Sequence, residues 1–166
     1  MRDATKINEY FSGDKALFLI PLYQRKYAWQ RKHCERLFSD LMKVSKENRK
    51  SHFFGSIVAI KANDVDDDLL IIDGQQRITT ISLIILAAVQ AYRDNIIESE
   101  QGDEYVNDMV NKYLMAKYRK GDRKIKLRPI ESDRLAYDAI IAGESEKFIP
   151  ADKSGITHNY LSLIHI

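Results

Sequence analysis

The spacing of apolar positions changes period several times along the chain, and each change marks an element. Ile7, Tyr10 and Phe11 share one face of a short helix predicted over Asp3 to Phe11, with Gly13 suited to its C-terminal cap. Ala16 to Ile20 is a brief apolar run stopped by Pro21, which predicts a strand. After a polar and aromatic stretch, Cys34, Leu37, Phe38, Leu41 and Val44 recur at helical spacing and predict a helix over Arg31 to Lys46. Phe53 to Ile60 and Leu69 to Ile72 read as strands joined by the acidic turn Asn63 to Asp68, together a hairpin. Asp73-Gly74 then turns the chain into a helix over Gln75 to Arg93. Its apolar residues surround the axis, so it should lie centrally rather than on the surface.

Beyond a polar break at Ser99 to Asp103, the pattern predicts a helix near Glu104 to Tyr118, a strand near Lys124 to Leu127 and a helix near Ser132 to Ala142. There is no internal repeat and no low-complexity tract. The expected class is α+β, a small mixed sheet with surrounding helices in one domain over residues 1–160. The last six residues, Leu161 to Ile166, match the translation of a sequencing-library adapter and are expected to be a foreign tail on a truncated reading frame. The alternative is a native apolar strand.

Composition adds limits. Of 166 residues, 45% are hydrophobic and 30% charged, which suits a folded domain with a real core. The single cysteine, Cys34, excludes an internal disulfide and a Cys-rich zinc site. No apolar segment follows a basic start, and the longest apolar run, Ile78 to Val89, is too short to span a bilayer. A cytoplasmic protein with no membrane partner is expected.

Charge is segregated. Residues 14–50 carry ten Lys/Arg against four Asp/Glu, residues 51–111 three against eleven, and residues 112–128 eight against one. Two basic segments flanking an acidic one form a candidate footprint for DNA, densest at Lys117, Arg119, Lys120, Arg123 and Lys124. Solvated helix faces are the plainer alternative.

Two segments carry candidate chemistry. In Asp73-Gly74-Gln75-Gln76-Arg77 a strand runs into a helix amino end, where unpaired N–H groups and the helix dipole favour an anion. Gly74 permits a sharp turn or close approach, and Asp73 suits a cap, a metal or an attacking water. Gln75 and Gln76 each bring donors and an acceptor, and Arg77 a planar fork for phosphate. An N-capped helix with Arg77 in a salt bridge satisfies the same spacing. In Ile20-Pro21-Leu22-Tyr23-Gln24-Arg25-Lys26-Tyr27-Ala28-Trp29, Arg25 offers a second phosphate fork, while Tyr23, Tyr27 and Trp29 offer faces for a base. A loop with core-packed aromatics is the alternative. The chain has no GxxxxGK[ST] motif, so any hydrolysis is not of the P-loop kind.

Taken in order, with His52-Phe53-Phe54-Gly55-Ser56-Ile57-Val58 between them, these segments resemble the N-terminal domain family of the GmrSD restriction endonucleases. That family carries IPxYQRxYxW-like, FFGSIV-like and IDGQQR-TT segments, and the likeness extends over most of residues 5–142. The resemblance implies a ParB/sulfiredoxin-like core that binds and hydrolyses a nucleoside triphosphate with Mg²⁺, serving modification-dependent DNA restriction in anti-phage defence. It implies Asp73 and Gln76 as catalytic residues, Asp73 also as the metal ligand. Gly74, Gln75, Arg77, Tyr23, Gln24 and Arg25 would bind the nucleotide, and modified DNA would be a partner. Nuclease chemistry in such proteins belongs to a separate C-terminal HNH-type domain; His33, His52, His158 and His165 are scattered here, and His52 reads as a packing residue. A DNA-binding module without hydrolysis and a structural scaffold are the competing readings.

Overall fold

A computed structural model of the chain describes residues 7–11, 17–47, 53, 55–64, 67–117, 123–143 and 155–165. The expected elements at 1–6, 12–16, 48–52, 54 and 118–122, including Gly13, His52, Phe54, Arg119 and Lys120, lie outside the described residues. The order is α1 (Ile7–Phe11), β1 (Phe18–Leu19), α2 (Arg31–Lys46), β2 (Val58–Lys61), β3 (Leu69–Asp73) and α3 (Gln75–Arg93). Then come α4 (Gly102–Tyr113), β4 (Met115–Lys117), β5 (Arg123–Ile125), β6 (Leu127–Arg128), α5 (Glu131–Ile141) and α6 (Ile156–Ile164).

The class is α+β, as the pattern of the sequence predicts. One sheet has the order β2-β3-β1-β6, and β4 pairs with β5 in a separate antiparallel hairpin. β1 runs parallel to both β3 and β6, while β2 is antiparallel to β3 and bulged between Val58 and Ala59. The short β1 is tied at its start by a side chain: Asp68 Oδ1 accepts the Leu17 N–H at 3.0 Å.

α3 is central, as its all-round apolar composition requires. Ile78 and Leu83 are fully buried with Ile71, Phe18, Leu127 and Tyr137, and α6 packs along α3 and against α5 and α2. α2 is amphipathic, burying Cys34 and Leu37. It is opened by Gln30, whose N–H donates to His33 Nδ1 at 3.0 Å. That bond satisfies one backbone donor at the helix entrance.

Three expectations are corrected. The helix expected to reach Tyr118 ends at Tyr113, and 115–117 form a strand, because Met115 pairs with Ile125 ten residues on. Local periodicity carries no record of that partner. The strand expected over Lys124 to Leu127 is broken at Lys126, whose side chain is buried although the residue counts toward the basic segment. Its ammonium donates to the carbonyls of Phe11 and, at 2.8 Å, Lys112. Finally, Leu161 to Ile164 are not a strand: they lie in α6, and Leu163 joins the core.

Candidate functional site

Because β1, β3 and β6 are parallel, the segments leaving their carboxyl ends meet along one edge of the sheet. These are residues 20–30, the turn at 73–75 and the entrance to α5. β2 is antiparallel and begins opposite Asp73, so residues 55–57 arrive at the same edge. In open α/β sheets the carboxyl edge of parallel strands is where ligands commonly bind.

The two glutamines of the turn knit these segments together. Gln75 Nε2 donates to the Arg25 carbonyl at 2.9 Å. Gln76 Oε1 accepts the N–H groups of Ala28 and Trp29 at 2.8 and 3.1 Å, and its Nε2 donates to the Lys26 carbonyl at 3.2 Å. Both side chains lie in the interior. Gln24 Nε2 reaches back to the Ile72 carbonyl at 2.8 Å, and Asp133 Oδ2 accepts the Tyr27 N–H at 2.6 Å. The loop from Gln24 to Trp29 has no regular structure of its own, so its backbone polar groups need such partners.

Gly74 stands at the N-cap of α3 with φ 91°, a left-handed conformation that glycine adopts without penalty. A Cβ there would lie 3.0 Å from the Cα of Ile57 and from the Ser56 carbonyl. Its close approach is therefore to protein backbone. No side chain caps α3, so the capping alternative for Asp73 is not what the structure shows. Asp73 is instead 70% exposed, 4.0 Å from Arg77. The Arg77 guanidinium lies flat on Gly55, where a Cβ would come within 2.5 Å of Nε, and donates to the Ser56 carbonyl at 2.9 Å. The glycine of the Gly55-Ser56 segment thus makes room for this arginine, which remains about a third exposed.

Around this corner Tyr23, Arg25, Lys26 and Phe53 are exposed, Tyr23 and Phe53 strongly so. Tyr27, expected as a possible base-stacking face, is buried. Its hydroxyl meets Thr80 Oγ1 at 2.9 Å and Cys34 Sγ at 3.4 Å. Burial drives the Tyr27 hydroxyl pKa far up, the neighbouring Cys34 adds to this, and hydrogen bonds from Thr80 and Asn159 work against it. Burial likewise pushes the Cys34 thiol up, which keeps it protonated and unsuited to nucleophilic work at neutral pH. Trp29 is half-buried, its ring 5.8 Å from that of His33.

The edge therefore gathers the YQRKYAW, GSI and IDGQQR segments at one corner. A family model described as GmrSD restriction endonuclease, N-terminal domain, matches residues 7–163. The chain belongs to this family. No curated protein matches the chain in sequence.

For this GmrSD N-terminal domain, two of the remaining sequence candidates have described side chains. Lys117 is exposed and Lys124 half-buried on the β4–β5 hairpin, while the Arg123 side chain lies outside the described ones. With Lys126 inside the core, the basic segment 112–128 presents less charge to solvent than its composition suggests. A more regular basic face, not singled out by sequence reasoning, runs along α2. Lys32, Arg36, Lys43 and Lys46 are all exposed at positions that share one side of the helix, spanning about 21 Å. The signal was available in the spacing i, i+4, i+11, i+14. Among the described residues there is no cluster of three or more His, Cys, Asp or Glu that could hold a metal, and no helix long and apolar enough to cross a membrane. An open cavity of about 480 Å³ among Tyr92, Asn95, Glu98 and Asp103 lies at the far end of α3.

Proposed function

We propose that this domain binds a nucleoside triphosphate at the corner formed by Asp73, Gly74, Arg77, Tyr23 and Arg25, and hydrolyses it as the sensor of a modification-dependent DNA restriction system. The observation that carries this reading is the placement of Arg77. Its guanidinium is fixed over Gly55 and the Ser56 carbonyl, beside the amino end of a helix that no side chain caps. A preorganised arginine beside a helix amino end favours phosphate by charge and by geometry. Asp73 is an exposed carboxylate next to that arginine. Mg²⁺ accompanying a triphosphate takes one or two protein carboxylates and fills its remaining positions with phosphate oxygens and water, so a lone Asp73 fits it. The exposed Tyr23 supplies a ring face for the base. Gln75 and Gln76 enter this reading differently from the expectation: their amides hold the Arg25–Trp29 backbone, so they position the site rather than touch the nucleotide.

Calorimetry tests the assignment. Arg77→Ala should weaken triphosphate affinity about 10- to 150-fold, the effect of removing a charge-assisted hydrogen bond of about 1.5–3 kcal/mol. Asp73→Asn should retain binding and lose turnover. Unchanged affinity in Arg77→Ala with an intact circular dichroism spectrum would remove the nucleotide site from this corner.

DNA contact is a second reading, and the α2 stripe favours it over the β4–β5 hairpin. Reversing Arg36 and Lys43 to glutamate should weaken duplex binding and flatten its dependence on salt, by about 0.9 in log–log slope for each phosphate that the protein no longer neutralises. Wild-type affinity and slope in that variant would make the stripe a solvated face.

A further inference from the structure

Trp29 is held from two directions. Gln76 Oε1 accepts its N–H at 3.1 Å, and Asn159 Nδ2 donates to its carbonyl at 2.5 Å. The two partners come from different ends of the fold: Gln76 opens α3, and Asn159 lies 130 residues beyond Trp29 on α6. Asn159 is only 1% exposed, and its Oδ1 has no hydrogen-bond partner in the structure. A buried unpaired acceptor is costly, so a position that served packing alone would be better filled by an apolar residue of similar size. What the amide contributes is its donor, which serves the loop at the Trp29 carbonyl and at the Tyr27 hydroxyl.

We infer that Asn159 is a positioning residue for the candidate nucleotide site, acting through the Trp29 carbonyl, so that the Arg25–Trp29 loop is completed only when α6 is docked. The loop is pinned by Gln24 to Ile72, Gln75 to Arg25, Gln76 to Lys26, Ala28 and Trp29, Asp133 to Tyr27, and Asn159 to Trp29. Most of these come from the loop itself or from the turn that opens α3, and Asp133 comes from the first turn of α5. The Asn159 bond comes from α6, and it makes the geometry of the exposed Arg25 and Tyr23 depend on that helix as well. α6 otherwise lies against α3, α5 and α2, so its docking reports on the whole helical layer. The inference rests on the proposed nucleotide reading for its consequence, though not for the hydrogen bond that it assigns.

Trp29 is the chain's only tryptophan, so its fluorescence reports the loop directly. The experiment compares the 166-residue protein with Asn159→Leu, which removes the donor and the unpaired acceptor together while keeping the same branched heavy-atom skeleton. Asn159→Asp, which keeps the shape but donates nothing when ionised, serves if the leucine variant does not fold. In a folded variant, Trp29 emission should shift to the red and acrylamide should quench it more strongly than in the wild type. Affinity for ATP, GTP, CTP or UTP with Mg²⁺, whichever binds the wild type best, should fall about 3- to 10-fold, as expected for the removal of one hydrogen bond. A residue that only stabilised the fold would leave the emission of the folded protein unchanged, and that result overturns the inference. Altered emission with full nucleotide affinity overturns it too, because the nucleotide site would then be complete without the bond from Asn159. If the wild type binds none of these nucleotides, the functional reading fails, and the emission alone decides whether Asn159 positions the loop.

Discussion

Replacing Gln76 by alanine should lower the unfolding free energy by about 2–5 kcal/mol, because two backbone N–H groups and one carbonyl lose their partner in a part-buried loop. The same variant should release the Arg25–Trp29 loop, shift the emission of Trp29 and remove measurable triphosphate binding. A glutamine that acted only on substrate would behave differently: turnover would fall while stability and Trp29 emission stayed at wild-type values. Urea denaturation followed by far-ultraviolet circular dichroism, together with emission spectra in the absence of nucleotide, separates the two. A Gln76→Ala protein as stable as the wild type would return this residue to the catalytic role that the family resemblance implies.

A comparable loss is expected from Lys126→Met. The ammonium of Lys126 donates to the carbonyls of Phe11, the last residue of α1, and of Lys112, in the last turn of α4. Carbonyls in a final helical turn have no partner within the helix, and the helix dipole places partial negative charge there. One buried cation thus answers the needs of two helix ends, which offsets the cost of taking it out of water. Methionine keeps the apolar stem and relieves that cost, but leaves both carbonyls unsatisfied. The net expectation is a loss of about 2–5 kcal/mol in urea denaturation. Nucleotide affinity should be untouched in the folded variant, because none of these groups reaches the corner at Arg77. If Lys126→Met proved as stable as the wild type, the two carbonyls would have found other partners, and the staple would carry no weight.

These two side chains also mark where reading the sequence stops being sufficient. α2 and α3 are legible residue by residue, because an amphipathic or fully apolar helical period is a local property and needs no knowledge of the partner surface. The β2–β3 hairpin, the turn at Gly74 and the α+β class are legible for the same reason. So is the corner itself, since Asp73-Gly74-Gln75-Gln76-Arg77 and Tyr23-Gln24-Arg25 stand out by composition, and the fold brings them within hydrogen-bonding distance of each other.

Which partners those polar groups meet within the protein is visible only in three dimensions. A glutamine that meets a ligand and a glutamine that meets a stranded peptide group are chemically the same residue, with the same donors and acceptor. Gln75 and Gln76 serve the loop because the loop has no sheet or helix to satisfy its backbone, a fact that depends on residues about fifty positions away. Tyr27 and Lys126 look like surface chemistry in a basic, aromatic stretch, yet both lie in the core, where each hydroxyl or ammonium finds its partners. α6 shows the same limit. Its apolar residues gain meaning only from α3 beside them, and its Asn159 only from the Trp29 carbonyl. The sequence by itself determined α2, α3, the β2–β3 hairpin and the chemical types gathered at the sheet edge, because these follow from local period and composition. Tertiary structure decided which of those groups stay exposed, because they are the remainder once the buried backbone donors and acceptors have taken their partners.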